Sequence, residues 1–115
     1  MSASSRIDDV LNALSDPKRR GAIDLLRKRK LRAGELADRL DVSPQVMSRH
    51  LKILRYAGLI EDDDVEGDAR VKLYALRDTA FRPLRNWLDE VEAMWSEQLD
   101  AFKTHAESKS RKPRA

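Results

Sequence analysis

Apolar positions recur at spacings of three and four along most of this chain, the period of an amphipathic helix, and the pattern gives way only between residues 59 and 76. Ser4 to Leu14 has Ile7, Val10, Leu11 and Leu14 on one face, and Ser15-Asp16-Pro17 ends that helix and opens the next. The second helix, Pro17 to about Lys30, buries Ala22, Ile23, Leu25 and Leu26. Ala33, Leu36, Ala37 and Leu40 predict a third, followed by a short turn at Asp41-Val42. Between residues 59 and 76 the chain is richer in β-branched and aromatic residues, and Leu59 to Glu66 and Ala69 to Leu76 read as two strands around Gly67-Asp68. Asp78 or Thr79 begins a helical turn, and Pro83 suits the start of a long last helix that runs to about Ala106.

The stretch from Ser43 to Ala57 organises the others. Ser43 is a good N-cap, Pro44 suits the first helical position because its missing N–H is not needed there, and Gly58 suits the left-handed residue after the last turn. At 100° per residue, His50, Leu51, Leu54 and Gly58 fall within about 60° of Met47, with Val46 and Ile53 at the edge of that face. That side is expected to be buried. The opposite side holds Gln45, Ser48, Arg49 and Lys52, an amide, a hydroxyl and two cations with no carboxylate among them. A solvated outer face is the plainer reading of such a helix, but its setting favours a polyanion. Helix 33–40, a tight turn and helix 43–57 form a helix-turn-helix, and the hairpin after it makes the motif winged.

Composition narrows the function. The 115 residues bound one domain of ordinary size with one modest core, not a two-domain enzyme. No apolar run approaches a membrane span or signal peptide, so the expected place is the cytoplasm with no membrane partner. Cysteine is absent, which excludes disulfides, thiolate metal sites and thiol redox chemistry. The net charge of +3 is unevenly spread: residues 1–57 carry 13 Lys/Arg against 7 Asp/Glu, and 107–115 carry 4 against 1, whereas 58–78 carry 3 against 7. Positive charge sits with the helical half and the tail, which points to nucleic acid rather than an acidic small substrate. Lys18-Arg19-Arg20 stands in a first turn, where cations oppose the helix dipole, so these residues are expected to meet phosphate rather than stabilise the helix. A solvated basic surface is the alternative. An enzyme finds no support in a glycine-rich phosphate loop, a nucleophile with a paired base, or convergent metal ligands.

The last helix carries an unusually long apolar seam. Phe81, Leu84, Leu88, Val91, Trp95, Leu99 and Phe102 recur at three and four, with Trp87, Met94 and Gln98 beside them. This exceeds what a small core can use and predicts a dimer interface, against simple core packing. The domain is expected to span 1–106, followed by a disordered basic tail, 107–115, with Lys109, Arg111, Lys112 and Arg114.

Several of these segments together resemble the ArsR/SmtB-type family of bacterial repressors. They are Leu14-Ser15-Asp16-Pro17 with Arg19-Arg20 and Ile23 to Leu26, Glu35-Leu36-Ala37, Val42-Ser43-Pro44 with Ser48-Arg49-His50-Leu51-Lys52-Ile53-Leu54-Arg55, and Ala57-Gly58-Leu59-Ile60. The resemblance covers Arg6 to Leu76 in motif and extends to Ala106 in helix layout. It implies a mainly α, winged helix-turn-helix homodimer, dimerised through its first helix (Ile7, Leu11) and last helix, that binds an operator and represses transcription. Metal-sensing members place cysteines in the helix around Glu35 to Asp38, or His and carboxylate ligands along the last helix. Here the first site lacks cysteine, and on the last helix His105 follows Asp100 by five residues, poor spacing for a shared face. No metal or other cofactor is therefore expected, and Asp89, Glu92 and His105 are weak candidates. His50 reads as a packing or phosphate contact. A small-molecule or protein effector is left open and unnamed.

The wing also departs from the basic hairpin of relatives, since Glu61-Asp62-Asp63-Asp64 precedes Glu66-Gly67-Asp68-Ala69-Arg70. Like charge facing DNA costs affinity, so the acidic strand is expected to point away and Arg70 alone to reach the minor groove. The resulting expectation is a sequence-specific regulator of double-stranded DNA. Ser43, Lys18, Arg20 and Lys52 hold phosphates, and Gln45, Ser48 and Arg49 face base edges. The main alternative is a winged-helix interaction or architectural module that binds DNA without sequence preference.

Overall fold

The computed structural model describes residues 3–65 and 68–110. Its elements are α1 (Ala3–Leu14), α2 (Pro17–Leu26), β1 (Leu31–Arg32), α3 (Ala33–Leu40), α4 (Pro44–Tyr56), β2 (Ile60–Val65), β3 (Asp68–Leu76) and α5 (Arg82–Ser110). Local chemistry sets most boundaries. Asp16 caps α2 by accepting from the Lys18 and Arg19 N–H groups at 2.7 and 3.2 Å, with Pro17 as the first helical residue. Glu35 reaches back from the first turn of α3 to accept the Arg32 N–H at 3.2 Å. Ser43 Oγ accepts the Val46 N–H at 3.1 Å, and Gly58, at φ 78°, closes the other end of α4 in the left-handed region. Asp41 takes the same region, φ 55°, after α3. Its short polar side chain tolerates that conformation better than most, and the bend makes the tight turn between α3 and α4.

Three boundaries differ from the sequence reading. The second helix stops at Leu26 rather than near Lys30: the Lys28 N–H bonds to the Leu25 carbonyl three residues back, so the turn tightens and ends. Leu31, almost wholly buried, is then carried into the sheet, and Arg27 to Lys30 are exposed connection instead of a last helical turn. Leu31-Arg32 forms a strand that was not expected, with Leu31 opposite Tyr74 and Arg32 opposite Leu73. The expected two-stranded wing is thus a three-stranded antiparallel sheet in the order β1-β3-β2. The last helix continues to Ser110, past Ala106, into the expected tail, and residues 111–115 lie outside the described residues. So does Gly67 in the expected hairpin turn.

The chain divides into two units, Met1–Leu84 and Arg85–Ala115. In the first, one core takes Val10 and Ala13 from α1, Ala22, Ile23 and Leu26 from α2, Leu36 and Ala37 from α3, and Met47, Leu51 and Leu54 from α4. Leu31, Leu59 and Ile60 close it from the sheet side. Each large aliphatic buried in this way stabilises the fold by about 1.5–3 kcal/mol relative to exposure. In α1 the buried positions are Val10 and Ala13, while Leu14 and Ile7 are half-buried and Leu11 is exposed. Within the described residues, the second unit is the remainder of α5, whose Trp87, Leu88, Val91, Met94, Trp95, Leu99 and Phe102 are all exposed. No described helix is long and apolar enough to cross a membrane. Helices α2, α3 and α4, with a tight α3–α4 turn and a β2–β3 hairpin, make this a winged helix-turn-helix.

Candidate nucleic-acid interface

Helix α4 has the two faces that its sequence requires. Met47, Leu51 and Leu54 are buried, His50 and Ile53 are half-buried, and Ser43, Gln45, Ser48, Arg49 and Lys52 are all exposed. Three apolar side chains therefore bury one side against the core while an acid-free polar side remains in water. At the N-terminus Pro44 has no N–H and the Val46 N–H goes to Ser43 Oγ. The Gln45 N–H has no partner within the helix, and the Ser43 hydroxyl keeps its proton to donate even as its oxygen caps. That end combines the positive pole of the helix with two donors, a chemistry suited to a phosphate oxygen.

The basic run at the start of α2 is structural in a way not foreseen. Lys18 Nζ donates to the Leu40 carbonyl at the end of α3 at 2.6 Å, and Arg20 Nη1 donates to the Leu14 carbonyl at the end of α1 at 2.7 Å. Arg19 is buried and donates from Nε to the Ala13 carbonyl at 2.7 Å and from Nη2 to the Asn12 carbonyl at 3.2 Å. Each cation thus meets the negative pole of a neighbouring helix, whatever it does to its own. The helical period held a signal for Arg19: it precedes Ala22, Ile23 and Leu26 by three, four and seven residues and so shares their face. Its third nitrogen, Nη1, lies 3.2 Å from His50 Nδ1 on α4. Beside it, desolvation raises the Asp16 carboxyl. Hydrogen bonds from the Arg19 and Lys18 amides, with a smaller contribution from the Arg19 charge, outweigh that and hold it below its ordinary value.

The acids of β2 do not behave as one block. Glu61, Asp63 and Asp64 are exposed, whereas the side chain of Asp62 is only 7% exposed and is paired with Arg55 Nε of α4 at 3.0 Å and Lys72 Nζ of β3 at 3.3 Å. Asp62 follows buried Ile60 by two residues, so strand alternation already placed it on the inner face. The pairing offsets the charge of Arg55 and ties the wing to α4. Arg70 lies in β3, and its side chain is outside the described residues.

The family model described as "Bacterial regulatory protein, arsR family" matches residues 16–62, which hold α2, β1, α3, α4 and the first half of β2. The transcriptional repressor SdpR of Bacillus subtilis is 33% identical over 82 residues, covering 71% of this chain and 88% of that one. The HTH-type transcriptional regulator Rv2034 of Mycobacterium tuberculosis is 36% identical over 102 residues, covering 89% and 90%. This chain belongs to the ArsR family of bacterial transcriptional regulators. An ArsR-like transcriptional regulator from Rhodococcus sp. RHA1 shares its architecture, with a TM-score of 0.77 at 30% identity over 94% of this chain and 98% of that one.

Other features of the regulator complete the surface. A shallow cleft of about 220 Å³ separates α1 from α4, lined by Asp9, Asn12, Lys52, Ile53 and Tyr56. Of the residues expected at a dimer interface, Leu11, Trp87, Leu88, Val91, Trp95, Leu99 and Phe102 are exposed. Ile7 is half-buried, and Leu84 is half-buried against the core of the first unit. Among the described residues no three His, Cys, Asp or Glu side chains gather in a group able to hold a metal ion.

Proposed function

We propose that this ArsR-family regulator represses transcription in the cytoplasm by binding an inverted-repeat operator as a homodimer, through binding alone and not catalysis. The carrying observation is the exposed, acid-free face of α4. Helix α4 enters the major groove, where Gln45, Ser48 and Arg49 meet base edges, and Arg49 forks onto the O6 and N7 of a guanine. Ser43, the start of α4 and Lys52 hold phosphates flanking that site. Lys18 and Arg20 each spend one donor on a carbonyl and retain others for the phosphate backbone. Arg70, in β3, is the wing residue assigned to the minor groove. Trp87, Leu88, Val91, Trp95, Leu99 and Phe102 of α5 join the two copies, together with Leu11 and the half-buried Ile7 of α1 and Leu84 of α5; so many exposed aromatic and aliphatic groups from Trp87 to Phe102 call for a cover.

Selection from a random DNA pool tests both halves of the proposal. The expected result is an enriched inverted repeat whose half-sites are separated by one DNA turn, about 34 Å, or a multiple of it. A pool that never enriches refutes sequence reading, and a single asymmetric half-site refutes the symmetric dimer.

A further inference from the structure

The buried guanidinium of Arg19 joins three helices. Two of its nitrogens are anchored on the last carbonyls of α1, at Ala13 and Asn12, and the third reaches His50, 31 residues away on α4. Arginine has no acceptor, so His50 Nδ1 must be the unprotonated nitrogen, with any ring proton on Nε2. Apart from the Arg55–Asp62 pair in its last turn, α4 is held by Met47, Leu51 and Leu54, whose contacts are apolar and non-directional. Such contacts set how deeply the helix sits but define its rotation about its own axis only loosely. A turn of about 10° moves a side-chain tip roughly 6 Å from that axis by about 1 Å, beyond the tolerance of a bidentate base contact.

We propose that Arg19 and His50 are positioning residues for base recognition: the Arg19–His50 hydrogen bond locks the rotation of α4 to the α1–α2 corner and so aims Arg49, next to His50, at its base. This rests on the reading above that the exposed face of α4 meets base edges. It adds that the aim depends on two side chains that themselves touch no base.

The test measures binding of the selected operator and of random DNA by anisotropy, well below the unfolding temperature, for the wild-type regulator, His50→Leu, His50→Asn and Arg49→Ala. His50→Leu keeps an apolar body and removes the acceptor; it is expected to lose about tenfold on operator while random DNA stays within about twofold. Asparagine puts an oxygen close to the place of Nδ1, so His50→Asn regains most of that loss. Nitrogen NMR of the imidazole is expected to show a bare Nδ1. A protonated Nδ1 overturns the proposal, as does equal binding by the Leu and Asn variants or an equal loss on random DNA. Arg49→Ala separates the two claims. If it flattens base preference while His50→Leu does not weaken operator binding, the coupling alone fails; if Arg49→Ala leaves preference untouched, the base-reading face falls and the coupling with it.

Discussion

Asp62 stands between the recognition helix and the wing, and removing it separates two effects that usually travel together. Its carboxylate is only 7% exposed and bonds to Arg55 at 3.0 Å and Lys72 at 3.3 Å, whereas those two cations are 60% and 45% exposed. In Asp62→Ala the cations turn into water, so the 3–5 kcal/mol typical of stranding a buried charge does not apply. Two partly screened pairs to one buried partner, less the recovered desolvation of the carboxylate, leave a loss of about 1–2 kcal/mol. For a unit of this size that lowers the thermal midpoint by about 5–15 °C, readable by circular dichroism. DNA binding moves the other way. Two released cations beside the exposed face of α4 raise affinity for random DNA several-fold at low salt and steepen the slope of log K against log salt by about one to two per subunit. Operator affinity gains less, because the wing is no longer held to α4, and the ratio of specific to random binding falls. An unchanged midpoint together with an unchanged salt slope would show that the Arg55–Asp62–Lys72 cluster neither ties the wing nor masks charge.

Arg49→Ala is expected to cost about 1–3 kcal/mol on the operator and to flatten one base pair per half-site, with Gln45→Ala milder; unchanged base preference in a repeated selection refutes the role. Trp95→Asp puts a charge into the exposed α5 seam and should give a monomer at micromolar concentration by analytical ultracentrifugation, whereas a persistent dimer would move the interface elsewhere. The Asp16 carboxyl is held below its ordinary value of about 3.8, so its contribution to stability is complete above that pH and disappears as pH falls through the lower folded-state value. Asp16→Asn keeps the capping acceptor without the proton equilibrium, and its urea midpoint should therefore fall less than the wild type's below about pH 4. Parallel acid limbs for the two proteins would contradict this.

Helix α4 was readable residue by residue because everything that defines it is local. Ser43, Pro44 and Gly58 mark its ends, and a 3.6-residue period separates Met47, Leu51 and Leu54 from Gln45, Ser48, Arg49 and Lys52. The same logic placed α1, α3, the two wing strands and the start of α5, since caps and periodicity act within a few residues of one another. Strand β1 escaped because two residues have no period; Leu31-Arg32 is a strand only because Tyr74 and Leu73 lie beside it. The end of α2 followed from the same demand for Leu31 in the sheet. Charge was the least local property of all. The helical period set Arg19 apart from Lys18 and Arg20 but showed none of their partners: Lys18 bonds across 22 residues to α3 and Arg19 across 31 to α4, while Arg20 turns back to α1. Strand alternation put Asp62 on the face of Ile60, but its partners Arg55 and Lys72 are brought to it only by the packing of β2 against α4 and β3. A cation or a carboxylate takes its role from the partner that desolvation obliges it to find, and that partner is chosen when the helices and strands pack.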